Sequence, residues 1–148
     1  AGVIAWHTFA MFAPGVFTGF LIRKFGAVTI ILIGLLLEAA CIGVALSGVK
    51  VIDFWLSMFL LGIGWNFTFT AATSLMTTAY TPAERAKTQG MMNQIIYTVV
   101  ACGALSSGAF INFFGWDWVN IGAIPLLLIA VAVTLWYVAS KKPTTIAN

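Results

Sequence analysis

Ala27 to Ser47 reads AVTIILIGLLLEAACIGVALS, an apolar run with a single charged side chain, Glu38. A helix needs about 20 such residues to cross roughly 30 Å of hydrocarbon at about 1.5 Å per residue. This stretch therefore reads as one membrane span. Outward from it, similar stretches occupy about 1–22, 54–79, 88–111 and 117–140, and the short loops between them hold nearly every charge. The composition agrees: 61% of the 148 residues are hydrophobic and 7% charged, against about 25% charged in a soluble domain. Outer-membrane barrel strands alternate apolar and polar residues, and these runs do not. The expected fold is all-α, a polytopic membrane helical bundle of five transmembrane helices, with residues 141–148 as a short polar tail.

The charges give an orientation. Arg23, Lys24, Arg85, Lys87, Lys141 and Lys142 fall on one side and Lys50 alone on the other. By the positive-inside bias the C-terminus is cytoplasmic, and the loops near 50 and 115 are external. Trp6, Trp55, Trp116 and Trp118 then sit at outer span ends, Tyr80, Trp136 and Tyr137 at inner ones, and Trp65 alone lies mid-span. The net charge of +3 is scattered in pairs and forms no basic face, so nucleic acid is not an expected partner. Cys41 and Cys102 lie inside apolar runs, where packing is their expected role. Thr81 as N-cap, Pro82 at the first helical position and Glu84 three residues after the cap predict a capping box that starts the fourth span.

Residues 19–26, GFLIRKFG, recur 89 positions later as residues 108–115, GAFINFFG, with four identities in eight. Each copy covers a span end and the tight loop after it, three spans apart, so the two lie on opposite sides of the membrane. That is the pattern of an inverted three-helix repeat, as found in secondary transporters. A three-helix unit requires a counterpart of the third span before residue 1. The absence of an initiator Met or a signal-peptide pattern leads to the same expectation, that further spans precede Ala1.

On these residues the chain resembles the major facilitator superfamily, whose twelve helices form two halves of inverted three-helix repeats. The family's loop signature, Gly-x-Leu-x-Asp-Arg-x-Gly, is matched at Gly19, Leu21, Lys24 and Gly26. Pro82, Glu84, Arg85 and Gly90 are similar to the loop after the tenth helix of many members. The resemblance makes residues 1–148 the eighth to twelfth helices, with an N-terminal transporter half as the missing partner. The corresponding N-terminal segment fits less well, because many members carry an Arg inside the fourth helix and span 54–79 has no charge there. Arg23 stands where the signature has Asp, so the family's carboxylate latch does not carry over to that position. Arg23, Lys24, Glu84 and Arg85 remain the expected gating residues on the cytoplasmic side.

Polar side chains inside spans mark the candidate functional residues, since each is costly in hydrocarbon. Glu38 shares a helical face with Gly34, Cys41 and Ala45. That face is expected to meet packed protein, where Glu38 either couples protons or hydrogen-bonds a neighbouring helix. His7 is a second candidate for the proton path, with a lone hydrogen-bonded His as its alternative. Asn66, Thr70, Thr73 and Thr77 form a polar stripe on the third span. Trp65, Asn66 and Thr70 are therefore expected to bind solute, together with Asn93 and Tyr97 of the fourth span, unless these groups only join helices. Asn66-Phe67-Thr68 matches a glycosylation sequon, but it lies within a span. Pro14 is expected to kink the first span, and the Gly15-x-x-x-Gly19 pair to permit close helix contact.

No phosphate-binding loop, metal-ligand cluster or Ser/His/Asp set appears, so no enzyme, cofactor or metal is expected. The expected function is part of an alternating-access secondary transporter, proton-coupled, moving a small organic solute across a bacterial inner or plasma membrane in contact with its lipid. The rival is a non-transporting membrane scaffold or assembly factor. Six or seven further spans encoded upstream favour the transporter, while a start codon just before Ala1 favours the scaffold.

Overall fold

The computed structural model describes residues 2–140. Its helices are α1 (Gly2–Phe12), α2 (Gly15–Phe25), α3 (Ala27–Ser47), α4 (Val51–Met76) and α5 (Arg85–Ser140). Residues 2–25, 27–47, 51–76 and 85–140 are each long and apolar enough to cross a membrane. The α5 run, at 56 residues, would extend roughly 80 Å as one rod, far beyond a bilayer. Gly115 breaks it with φ 82° and ψ 179°, a conformation open to glycine because it has no Cβ. Residues 103–110 then face residues 119–126 across a shallow cleft, so the chain returns on itself. The result is an all-α bundle of five crossings.

Gly26 makes the corresponding turn between α2 and α3, with φ 84° and ψ 150°. The two positive-φ glycines are thus the closing residues of the two repeat copies read from the sequence. They lie at opposite ends of the bundle: Gly26 precedes α3, while the Trp116 indole N–H donates to the Ala45 carbonyl near the end of α3 at 2.9 Å.

The core is where α3 and α4 cross antiparallel. Ile30, Ile31 and Leu35 of α3 pack with Ala71 of α4, and Leu127, Ala130 and Val131 of α5 close over them. Small residues set the spacing. A Cβ on Gly34 would lie against the Thr68 hydroxyl and 2.9 Å from the Gly64 carbonyl, and one on Gly64 would lie 2.9 Å from Glu38 Cγ. Each glycine therefore sits opposite the polar residue one turn along the other helix. α1 packs parallel to α4 in the same way, with Gly62 against Ala10 and the His7 carbonyl. Without a water-driven force between helices in lipid, such close van der Waals approach is a main source of association.

After Gly115, the partly buried positions of α5 are 116, 119, 120, 123, 124, 127, 130, 131, 134 and 137. Their steps of three and four define one helical face laid along α3 and α4. No α5 residue is fully buried, and residues 93–95 and 97–114 are all exposed.

The kink expected at Pro14 appears as a break: the first span is two helices, α1 and α2, because Pro14 lacks the amide that would continue the ladder. Other expectations change. Gly19 has nothing within 4 Å of a potential Cβ, so the close approach expected there occurs at Gly34, Gly62 and Gly64 instead. The third span begins at Val51 rather than near 54, since the Asp53 carboxylate reaches back to accept the Lys50 amide at 3.0 Å. Cys102, expected to pack, is exposed, whereas Cys41 is buried. The capping box ahead of α5 forms only in part. Glu84 accepts the Thr81 amide at 3.1 Å, but the Thr81 hydroxyl donates to that carboxylate at 2.7 Å rather than capping the helix, and α5 begins at Arg85. The predicted tail, 141–148, lies outside the described residues.

Candidate functional site

The break in the first span organises the middle of the bundle. Across it, the Ala13 amide bonds the Phe9 carbonyl at 2.8 Å, and the Phe17 and Thr18 amides bond the Pro14 carbonyl at 2.8 and 2.9 Å. The Met11 carbonyl accepts instead from a side chain, Asn66 Nδ2 of α4, at 2.6 Å. The other end of that amide, Asn66 Oδ1, lies 2.6 Å from the Thr18 hydroxyl, which is also 2.8 Å from the Pro14 carbonyl. The Met11 carbonyl can only accept, which assigns the Asn66 nitrogen to it and the oxygen to Thr18. Thr18 is fully buried and Asn66 only 4% exposed. Asn66, expected to contact solute, therefore has both ends of its amide engaged by the first span.

Trp65, its neighbour, points elsewhere. Its ring stacks on Phe69 at 4.7 Å and 8°, and Phe12 stands edge-on to it at 6.4 Å. Phe12, at the end of α1, is 65% exposed, so the three rings form an aromatic shelf beside the break. Thr70 is partly buried one helical step on. The sequence does not single out the shelf members Phe12 and Phe69, because aromatic residues recur on four of the five spans. The Pro14 break, which ends α1 at Phe12, was the available signal.

Glu38 is partly buried and accepts a hydrogen bond from the Thr68 hydroxyl at 3.2 Å. Gly34, Cys41 and Ala45, on the same face, are all buried against neighbouring helices. Beside Glu38 is a cavity of about 440 Å³ between α3, α4 and the last crossing, lined also by Cys41, Ser57, Trp116 and Asn120. Among the described residues, no lysine, arginine or histidine lines it. The structure thus gives Glu38 a helix-joining contact and an adjoining space at once. His7 ties α1 to α4: its Nδ1 lies 2.8 Å from the Met58 carbonyl and must carry the proton there.

Asn93 and Tyr97 lie on the exposed part of α5, Tyr97 at 71%, and the structure does not bring them near Trp65 or Glu38. Gln89, one turn before Asn93, donates to the Tyr80 hydroxyl at 2.7 Å. Arg23, Lys24, Glu84 and Arg85 are all exposed. They fall at the same end of the bundle, and Lys24 Nζ lies 5.1 Å from the Phe25 ring centre. The two hydrogen bonds from Thr81 hold the Glu84 carboxyl below the usual carboxylate range, so it is ionised at neutral pH.

The model of the Major Facilitator Superfamily matches residues 2–148. The chain belongs to the major facilitator superfamily. Among curated proteins, a riboflavin transporter of Brucella anthropi is 44% identical over 124 residues, covering 84% of this chain and 31% of that protein. Two uncharacterised MFS-type transporters of Bacillus subtilis are 34% and 33% identical over 137 and 135 residues, covering 91% and 88% of the chain. The chain spans about a third of the length of these relatives, 31% in each case. No solved structure matches it. Family membership and the apolar helices make it an integral membrane protein related to transporters rather than to enzymes.

Proposed function

We propose that the chain is the C-terminal part of an alternating-access secondary transporter that moves a small planar heteroaromatic solute of the riboflavin class in exchange for, or together with, protons. The observation that carries this reading is the 44% identity to the riboflavin transporter over most of the chain. Two features of the structure support it. The Phe12, Trp65 and Phe69 rings present a surface at mid-bundle on which a flat ring system can stack, with the Thr70 hydroxyl on the same helix. Glu38, the acid placed in the middle of a span, adjoins a cavity and serves as the proton carrier.

The remaining partner is the N-terminal half of the transporter. It covers the exposed stretch of α5 and brings Asn93 and Tyr97 to the solute path. The end carrying Arg23, Lys24, Glu84 and Arg85 faces the cytoplasm and gates that side. Cysteines at Lys87 and Asp117 should then label from opposite membrane faces in the full-length protein, and labelling of both from one face would reverse the topology.

The solute assignment is tested with full-length protein in proteoliposomes, measuring uptake of labelled riboflavin. Trp65→Phe keeps a stacking face and should retain uptake. Trp65→Leu should weaken riboflavin binding roughly three- to tenfold, the worth of one aromatic pair. Absence of saturable riboflavin uptake by the parent protein removes the solute assignment. Equal binding by the leucine variant removes the shelf from the site.

A further inference from the structure

The break at Pro14 lies in the middle of a span, the most expensive place for one. An interior proline costs a helix about 3 kcal/mol, and carbonyls released by the break must find donors where there is no water. Here the Met11 carbonyl is met by a side chain from another helix, Asn66, and the same side chain accepts from Thr18 on the far side of the break. One buried amide thus holds both pieces of the first span, α1 through Met11 and α2 through Thr18. A potential Cβ on Gly15 lies 3.6 Å from Asn66 Nδ2, so the amide sits directly against the break. On the opposite side Val16, Phe17, Gly19 and Phe20 face away from the other described helices. A span that needed only to cross could do so unbroken and without the Thr18 hydroxyl or the Asn66 amide beside it.

We propose that the first span is a jointed element hinged at Pro14, and that Asn66 is the positioning residue that pins the joint to α4. In the pinned state Asn66 holds α1 so that Phe12 stands against Trp65. When α1 tilts relative to α2, the Asn66–Met11 bond is given up and the aromatic shelf opens. This deepens the transporter reading by assigning a moving part to the solute site, and it rests on that reading for the purpose of the motion. The hinge and its pin are measurable without any solute.

The test uses full-length protein with Cys41 and Cys102 replaced, in two arms. In the first, thermal unfolding is compared for the parent, Asn66→Leu, Pro14→Ala and the double variant. Asn66→Leu leaves the Met11 carbonyl without its donor and should lower the melting temperature. Pro14→Ala restores the amide and lets residue 15 bond Met11 within a continuous helix, so the double variant should recover most of that loss. An asparagine that does not serve the break would give additive effects, and additivity overturns the pin. In the second arm, spin labels at Ile4 and Phe20, both exposed, report the distance between the two pieces. The parent should show two distance populations and Pro14→Ala one. A single distribution shared by both proteins overturns the hinge. Should riboflavin uptake fail in the parent while both arms behave as expected, the solute assignment falls and the hinge stands.

Discussion

Gly34→Val and Gly64→Val are each expected to separate α3 from α4 and leave a full-length protein that elutes as aggregate and melts well below the parent. The reason is what a side chain would meet. At Gly34 a Cβ would press on the Thr68 hydroxyl and lie 2.8 Å from the Thr68 amide nitrogen; at Gly64 it would lie 3.0 Å from the Gly34 carbonyl and 3.2 Å from the Glu38 amide nitrogen. Most of these neighbours are backbone, so no rotamer change can make room and one helix must move bodily. Overpacking of a core typically costs about 1–3 kcal/mol, and here the movement also opens the Ile30, Leu35 and Ala71 cluster beside the crossing. Gly43→Val on the same helix is the control, because nothing lies within 4 Å of its potential Cβ. Size-exclusion chromatography and a melting curve in detergent decide the matter. Parent-like behaviour of Gly34→Val and Gly64→Val would mean that α3 and α4 do not cross as described.

Those glycines also show how much of the bundle could be read beforehand. Span number, helix type and the shared face of Gly34, Glu38, Cys41 and Ala45 follow from hydropathy and helical spacing, and the structure buries all three small residues of that face. Which face of α4 meets it does not follow. The polar side chains of α4, Asp53, Asn66 and its hydroxyls, leave Gly62 and Gly64 with no contrasting surface to mark them, while Gly15 and Gly19 form the more familiar spacing and attract attention. The same limit applies to Asn66. A polar residue four positions from Thr70 reads as part of a lining stripe, and only the packing of α1 on α4 reveals the Met11 carbonyl waiting for its amide. The proline signalled the break, but the donor that answers it is 55 residues away, and local patterns carry no such distance. The repeat was more legible than its length suggested. Its final glycines take positive φ in both copies because each copy ends in a turn whose backbone conformation residues with a Cβ rarely adopt.

Glu38→Gln is expected to abolish accumulation of solute driven by a pH gradient while leaving the fold intact. Glutamine has nearly the same volume, and its amide oxygen can accept the Thr68 hydroxyl as the carboxylate oxygen does at 3.2 Å, so the contact between α3 and α4 survives. What it cannot do is take up and release a proton. A carboxyl beside a cavity within a span can hold a proton while its surroundings are dry and give it up when water or a cation reaches it. Among the described residues, no lysine, arginine or histidine shares the cavity lining with Glu38. In proteoliposomes with an imposed pH gradient, the variant should accumulate at least roughly tenfold less solute than the parent, a loss equivalent to about 1.4 kcal/mol of coupling. Exchange of labelled for unlabelled solute, which needs no net proton movement, should continue near the parental rate. Glu38→Leu separates the two roles from the other direction: it removes the Thr68 contact together with the titrating group, and an apolar side chain is at home within a span, so that variant should fold yet also fail to accumulate solute. Undiminished accumulation by the glutamine variant would make Glu38 a structural partner of Thr68 alone and move the proton path to another part of the transporter.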